Sequence, residues 1–385
     1  MTFALYTNTV SPHQLPLARE LIGQLGVDNY RYVYTTPLTK ERTAMGWRAV
    51  DENWILTSSS VEAQERLRDS DVVLMQHNRD WEMLKGRLCR GKACIYASER
   101  WFKPRLGMLR MLWPKYLRMA LQFVCMLRKS KGLFYFPIGI HAACDMARLC
   151  GVFSGDLRCL FKAPALDFES KPGGRIWLKN GGDGKRYCLD KMRMWGYFVE
   201  PSQLPNSLTS NSSTLKVLWV GRLLKLKRVD TIIRAVVELF KSQSPSNLNS
   251  NSNFHVQLDI YGTGPEEKSL RRLAAKYGEA IKFYQPVPIA HVRRLMQEHD
   301  VYVLSSNGYE GWGAVVSEAL EERMCVIGTY EAGSSATLLP KECLFKAGDW
   351  RSLEKLLSNA ANLPILVDQQ WFVQNACRTL QEVFK

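Results

Sequence analysis

Val301-Tyr-Val-Leu-Ser-Ser306, followed by Glu310-Gly-Trp-Gly-Ala-Val-Val-Ser-Glu318, decides how this chain folds. The first stretch is apolar and aromatic and closes on two small hydroxyls, the pattern of a short buried strand. Residues 314–322 place apolar and charged side chains at helical spacing, which predicts a helix. A strand should therefore turn into a helix across Gly311-Trp-Gly313, with Glu310 and Glu318 eight residues apart. Such a turn can aim helix N-terminal amides at phosphate while two carboxylates hold sugar hydroxyls. Taken alone, the pair fits equally well a loop acid and a solvated helix acid.

Upstream, Lys216-Val-Leu-Trp-Val-Gly221-Arg222-Leu-Leu-Lys-Leu-Lys227-Arg-Val-Asp reads as a buried strand, a Gly-Arg turn and the start of an amphipathic helix near Val229. Arg222 leaves the strand end and Lys227 precedes the helix, so both cations lie beside a positive helix N-terminus. That placement suits a diphosphate, although a single lysine near a helix start is usually just surface. Val256-Gln-Leu-Asp-Ile-Tyr-Gly262-Thr-Gly264-Pro265-Glu-Glu gives a further strand, a glycine turn and a helix with proline and two acids in its first turn. Gly-x-Gly by itself is weak, because most such turns only connect elements.

In this order, Gly221-Arg222 with Lys227, Gly262-Thr-Gly264-Pro265, and the Glu310/Glu318 pair resemble the retaining glycosyltransferase family four of the GT-B fold. The resemblance covers roughly residues 215–350. It implies an α/β chain of two Rossmann-like domains whose parallel sheets face each other across a cleft. It also implies that Arg222 and Lys227 bind the donor diphosphate, Glu318 the ribose hydroxyls, and Glu310 the transferred sugar near the reaction centre. Gly221, Gly262, Gly311, Gly313, Ala314 and Val315 complete the donor set, with amides from Gly313 to Val316 toward phosphate or sugar. Where the family commonly has a Gly-Thr-Pro-Val-like turn, this chain has Arg323-Met-Cys-Val-Ile327.

The chain has 385 residues, a length that suggests two domains with a core each. Its composition, 46% hydrophobic and 23% charged, is that of an ordinary soluble protein, and no apolar run is long enough to span a bilayer. Met1-Thr-Phe-Ala-Leu reads as a first strand rather than a signal peptide. The ten cysteines show no C-x-x-C spacing, which favours reduced, mostly buried thiols and a cytoplasmic setting. No metal site and no cofactor are expected, the nucleotide sugar being a substrate.

Charge is unevenly placed. Residues 1–205 hold 31 Lys and Arg against 19 Asp and Glu, while the remainder holds 21 against 18. Much of the excess lies between Trp101 and Ala143, which carry no acid and eight cations: Lys103, Arg105, Arg110, Lys115, Arg118, Arg128, Lys129 and Lys131. Trp, Phe, Met and Leu are interleaved, and Pro114 is expected to split the stretch into two helices. Basic helices of this kind lie on anionic lipid, so Lys103–Lys131 is a candidate membrane surface on the inner face of a membrane. A core helix pair with snorkelling cations is the plain alternative. No nucleic-acid recognition motif is present.

The first half alternates strands at Phe3–Thr7, Tyr30–Tyr34, 71–76, 93–97 and Leu133–Pro137 with helices, which indicates an open parallel sheet. Its strand ends place Asn8, His13, His77 and Arg100, with Glu99, on the edge where such sheets bind ligands, and these form the acceptor-side candidates. His77 is the best basic candidate there, though a lone His at a strand end more often packs or hydrogen-bonds. Domains are expected at 1–205 and 206–365, and a C-terminal helix within 366–385 crosses back to the first domain if the resemblance holds. Polar stretches at 205–213 and 242–253 read as an interdomain linker and a surface loop. The resulting expectation is a metal-independent retaining transferase acting from a nucleotide-diphosphate sugar on a glycan or lipid-linked acceptor, in surface polysaccharide or glycoconjugate synthesis. A sugar-nucleotide epimerase of similar fold, or a partner-binding protein on a transferase scaffold, are the rivals.

Overall fold

The computed structural model describes residues 1–44, 47–76, 80–104, 106–202, 214–242, 255–366 and 373–383. The chain divides into two units, one of Met1–Thr43, Trp47–Phe198 and the C-terminal Gln369–Lys385, the other chiefly of Val199–Asp368. The boundary expected at residue 205 thus falls at Phe198. The reason is local: the Ser202 amide donates to Glu321 at 2.9 Å and its hydroxyl to Glu322 at 2.7 Å, which holds 199–202 to the second unit. The expected linker at 205–213 lies outside the described residues, as does nearly all of the loop at 242–253.

In the first unit, β1 (Phe3–Thr7), α1 (Leu15–Leu25), β2 (Tyr30–Tyr34), α2 (Lys40–Ala44), β3 (Ile55–Thr57), α3 (Val61–Asp69), β4 (Val72–Gln76), α4 (Trp81–Cys89), β5 (Ala93–Ser98), α5 (Pro114–Lys129), β6 (Leu133–Pro137) and α6 (Ile140–Val152) build one parallel sheet in the order β3-β2-β1-β4-β5-β6. All five residues of β1 and of β4 are buried, as continuous apolar runs covered on both faces must be. Arg87 of α4 is buried too. Its guanidinium donates to the carbonyls of Leu67 and Ser70 at 2.7 Å and of Ala93 at 2.8 Å, satisfying strand and helix ends that apolar side chains could not.

Pro114 opens α5 instead of separating two α-helices. What precedes it, Gly107–Leu112, is a 3₁₀ turn. A proline tolerates the first helical position because the missing amide has no helical partner there. A hairpin of β7 (Leu166–Phe168) and β8 (Ile176–Leu178) was not expected from the sequence.

The second unit runs β9 (Thr214–Val220), α7 (Val229–Ser242), β10 (His255–Tyr261), α8 (Glu267–Ala274), β11 (Ile281–Tyr284), α9 (Ile289–Glu298), β12 (Val301–Leu304), α10 (Val315–Glu321), β13 (Cys325–Thr329), α11 (Gly333–Leu338), β14 (Leu344–Phe345) and α12 (Trp350–Ser358). Its parallel sheet has the order β11-β10-β9-β12-β13-β14. Strand order therefore reverses at β9, which has β10 on one side and β12 on the other. The crevice beyond the carboxyl ends at such a reversal is where open α/β sheets take ligands.

The last helix, α13 (Val373–Val383), belongs to the first unit and buries Ala376, Cys377 and Leu380 there. Thr379 donates to the Pro172 carbonyl at 3.2 Å and Gln381 to Gln24 at 2.8 Å. All ten cysteines are free thiols.

Candidate active site

Three loops meet beyond the carboxyl ends of β9, β10 and β12. The first leaves β9 through Gly221-Arg222. The second, Gly262-Thr-Gly264, packs on it backbone to backbone: the Gly221 amide donates to Tyr261 O at 3.0 Å and the Leu223 amide to Thr263 O at 2.9 Å. A Cβ on Gly262 would stand 1.9 Å from Gly221 O, and one on Gly264 would stand 2.5 Å from Leu223 O. These glycines therefore do more than connect a strand to a helix, because they let the β10 exit press against the turn that carries Arg222.

The third loop follows β12. Ser305 donates to the Lys227 carbonyl at 2.6 Å and the Asn307 amide to Leu226 O at 2.8 Å, so the two strand exits are laced together. Lys227 Nζ then lies 2.5 Å from Glu310 Oε2, which also accepts from Ser306 Oγ at 2.8 Å. Both charged side chains are largely buried, at 19% and 14% exposure, so water screens the pair only in part. Eighty-three residues separate the two in sequence, and the sheet reversal brings them together.

Glu318 sits buried in the first turn of α10. It shares a neighbourhood with Glu310, as Tyr302 of β12 reports: burial first, then the carboxylates of Glu318 and Glu310, holds that phenol well above its ordinary value. Gly313 adopts φ 84°, a left-handed conformation that admits glycine without strain, and its carbonyl accepts from Ser334 at 3.0 Å. The Gly333 amide donates to Gly311 O at 3.0 Å, clamping the glycine turn from the side of α11. Trp312 between the two glycines is fully buried. Of the amides expected to point at a ligand, that of Val316 is occupied, donating to Gly313 O at 3.1 Å. The one-turn geometry of Gly313-Ala314-Val315 explains this, since the fourth residue already closes the first helical bond.

Arg222 is exposed, and among the described residues it makes no ion pair. The structure thus joins Lys227, Glu310 and Glu318 in one place and leaves Arg222 at its rim. Sequence reasoning missed Ser306, Ser305, Tyr302 and the Gly333-Ser334 clamp. The signal for the serines was present in the small polar close of the strand, whereas nothing in Gly333-Ser-Ser-Ala marks a helix that braces a turn.

On the first unit, the acceptor-side candidates separate. The Asn8 carbonyl accepts from the Thr36 amide at 2.7 Å. The His13 ring stacks near Tyr197 at 6.2 Å between centroids, and Tyr197 OH donates to Glu99 at 3.0 Å, so His13 and Glu99 share one group. Arg100 turns inward instead, 3.5 Å from the buried Asp145. Burial raises the Asp145 carboxyl above its ordinary value despite that neighbour. His77 lies outside the described residues. Among the described residues no group of three or more His, Cys, Asp or Glu side chains could hold a metal ion.

Residues 202–376 match the family described as Glycosyl transferases group 1. A stretch of 126 residues is 29% identical to the UDP-N-acetylglucosamine–peptide N-acetylglucosaminyltransferase GtfA subunit of Streptococcus pneumoniae. That match covers 32% of this chain and only 23% of the relative. Among solved structures, the lipopolysaccharide outer core galactosyltransferase WaaB superposes with a TM-score of 0.60 at 11% identity, covering 99% of both chains. Anabaena HepE in complex with UDP gives 0.53 at 13% identity, covering 100% of this chain and 94% of that one. The fold is that of the GT-B glycosyltransferases. The residues that match the family model lie almost wholly in the second unit.

Proposed function

We propose that the chain is a retaining glycosyltransferase that passes a sugar from a nucleotide-diphosphate donor to a glycan or lipid-linked acceptor, in surface polysaccharide or glycoconjugate synthesis. The observation that carries this reading is the Lys227–Glu310–Ser306 group at the reversal of the second sheet, beside the Gly221-Arg222 turn. The difficult event is departure of the nucleotide diphosphate, whose leaving oxygen gains negative charge as the bond to the sugar C1 breaks. Lys227 donates one N–H of its ammonium group to Glu310 as a hydrogen bond, which leaves two N–H donors for phosphate oxygens. Arg222, which makes no ion pair among the described residues, supplies the second cation. Preorganised cations stabilise the leaving group in the transition state, so the proposal needs no metal for that task.

Retention follows if the acceptor hydroxyl attacks C1 from the face the diphosphate leaves, its proton passing to the departing phosphate oxygen. Glu310, held in place by Lys227 and Ser306, orients the sugar, and Glu318 holds the ribose hydroxyls. Nucleotide sugars should raise the melting temperature of the protein, since a ligand of the native state alone stabilises it. The product glycoside should keep the anomeric configuration of the donor by NMR. Lys227→Ala should fold yet lose roughly two to three orders of magnitude in turnover. An inverted product, or full turnover in Lys227→Ala, contradicts the assignment.

A further inference from the structure

The 3₁₀ turn Gly107–Leu112 and the exposed side of α5 carry a patch that neither unit's core uses. Leu109 is 60% exposed, Leu112 77% and Trp113 50%, and Leu106, Leu117 and Leu121 are exposed beside them. Six large apolar side chains at the surface within sixteen residues is far from the scattered exposure ordinary surfaces show. The other face of the same helix is conventional: Ala120, Phe123, Val124 and Leu127 are buried against the sheet. The helix is therefore apolar on two sides, and among the described residues only one of them has a partner.

The charges that this stretch itself places beside the patch are all positive. Lys115 and Arg118 stand exposed on α5 next to Leu117 and Leu121, and Arg110 lies over the Tyr116 ring at 5.7 Å. No acid occurs from Trp101 to Ala143. The structure removes one member of the basic run. Arg128 is consumed by the carbonyls of Phe153, Cys150 and Arg186 and by Ser154, and so serves the fold. At the far end of α5, Cys125 continues the exposed row of Leu117 and Leu121 at four-residue steps. It opens onto a depression of about 540 Å³ lined by Lys85, Lys92, Lys129 and Lys131, where Lys85 pairs with Glu82 at 3.0 Å and Lys92 with Asp71 at 3.3 Å.

We propose that this apolar ridge, with the cations of the acid-free stretch beside it, docks the protein on an anionic lipid surface, with Leu109, Leu112 and Trp113 entering the acyl boundary and Lys115, Arg118, Lys129 and Lys131 meeting phosphate headgroups. Apolar insertion flanked only by cations is the chemistry of interfacial helices on acidic membranes. A second protein copy would have to bring acids to this face. The inference concerns a surface apart from the nucleotide-sugar group, and it is tested without donor or acceptor, so it stands or falls separately from the transferase reading.

The experiment uses the full chain and vesicles of mixed phosphatidylglycerol and phosphatidylcholine, with phosphatidylcholine alone as reference. Sedimentation should show binding to the acidic vesicles at low salt and loss of it at high salt, as screening over about 8 Å at physiological ionic strength requires. Leu109→Ser with Leu112→Ser should weaken binding about tenfold or more, as should Lys115→Gln with Arg118→Gln. Because these side chains are exposed, the variants should fold. Brominated acyl chains should quench tryptophan emission in the parent and in Trp177→Phe, whose indole is exposed elsewhere, and far less in Trp113→Phe. Three results would overturn the proposal: no binding to acidic vesicles at low salt, quenching unchanged in Trp113→Phe, or a dimer in light scattering that Leu112→Ser dissolves while no vesicle binding occurs.

Discussion

Arg323 ends α10 in the left-handed region at φ 59°, a position where helices usually place glycine. The Arg323 amide donates to Leu320 O and that of Met324 to Ala319 O, both at 3.0 Å, so the helix closes as a Schellman motif around an arginine. A Cβ in this conformation costs about 1–2 kcal/mol, offset in part by the greater entropy of glycine in the unfolded chain. Arg323→Gly should therefore stabilise the protein by about 0.5–1 kcal/mol in urea denaturation. A loss of stability would show that the guanidinium does more than cap. The same residue is where the sequence parts from the wording of the family it resembles.

At the scale of elements, the turn at Gly262 is where sequence reading fell short for a physical reason. Gly-x-Gly after a strand fixes only that a turn occurs, and what makes this one necessary is a neighbour forty residues away in the chain. Gly262→Ala pushes a methyl group to 1.9 Å from the Gly221 carbonyl, a backbone atom that cannot rotate aside. Stability should fall by about 1–3 kcal/mol, and donor affinity should fall with it because the Arg222 turn shifts. Gly278→Ala, where nothing lies within 4 Å, is the control and should be near neutral. Nearly all the longer strands of both sheets were legible to within a residue or two because they are apolar runs or alternate apolar with polar residues, rich in Val, Ile, Leu and aromatics. The three-residue strands β3, β7 and β8, the two-residue β14 and the six-residue α11 were not, since pieces so short show no period.

For the whole molecule, two α/β halves and the residues proposed for the donor group were legible in the sequence, but not how those residues meet. Lys227 was read as a phosphate ligand beside a helix start, and the structure adds that its ammonium is shared with Glu310. That could not be read from either segment alone, because only the order of strands in the sheet decides which loops become neighbours. In the first half no motif announced a site, and Arg100, chosen for its place at a strand end, turned out to be held by the buried Asp145. The central claim, that the second unit holds a nucleoside diphosphate between Arg222, Lys227 and Glu318, is tested most directly by calorimetric titration. Uridine, guanosine and adenosine diphosphates would be titrated into the parent, Arg222→Ala and Glu318→Gln. At least one should bind the parent, and its affinity should fall about tenfold or more in each variant, the loss expected for one charge-assisted contact. Absence of binding by all three, or equal affinity in parent and variants, would contradict the claim.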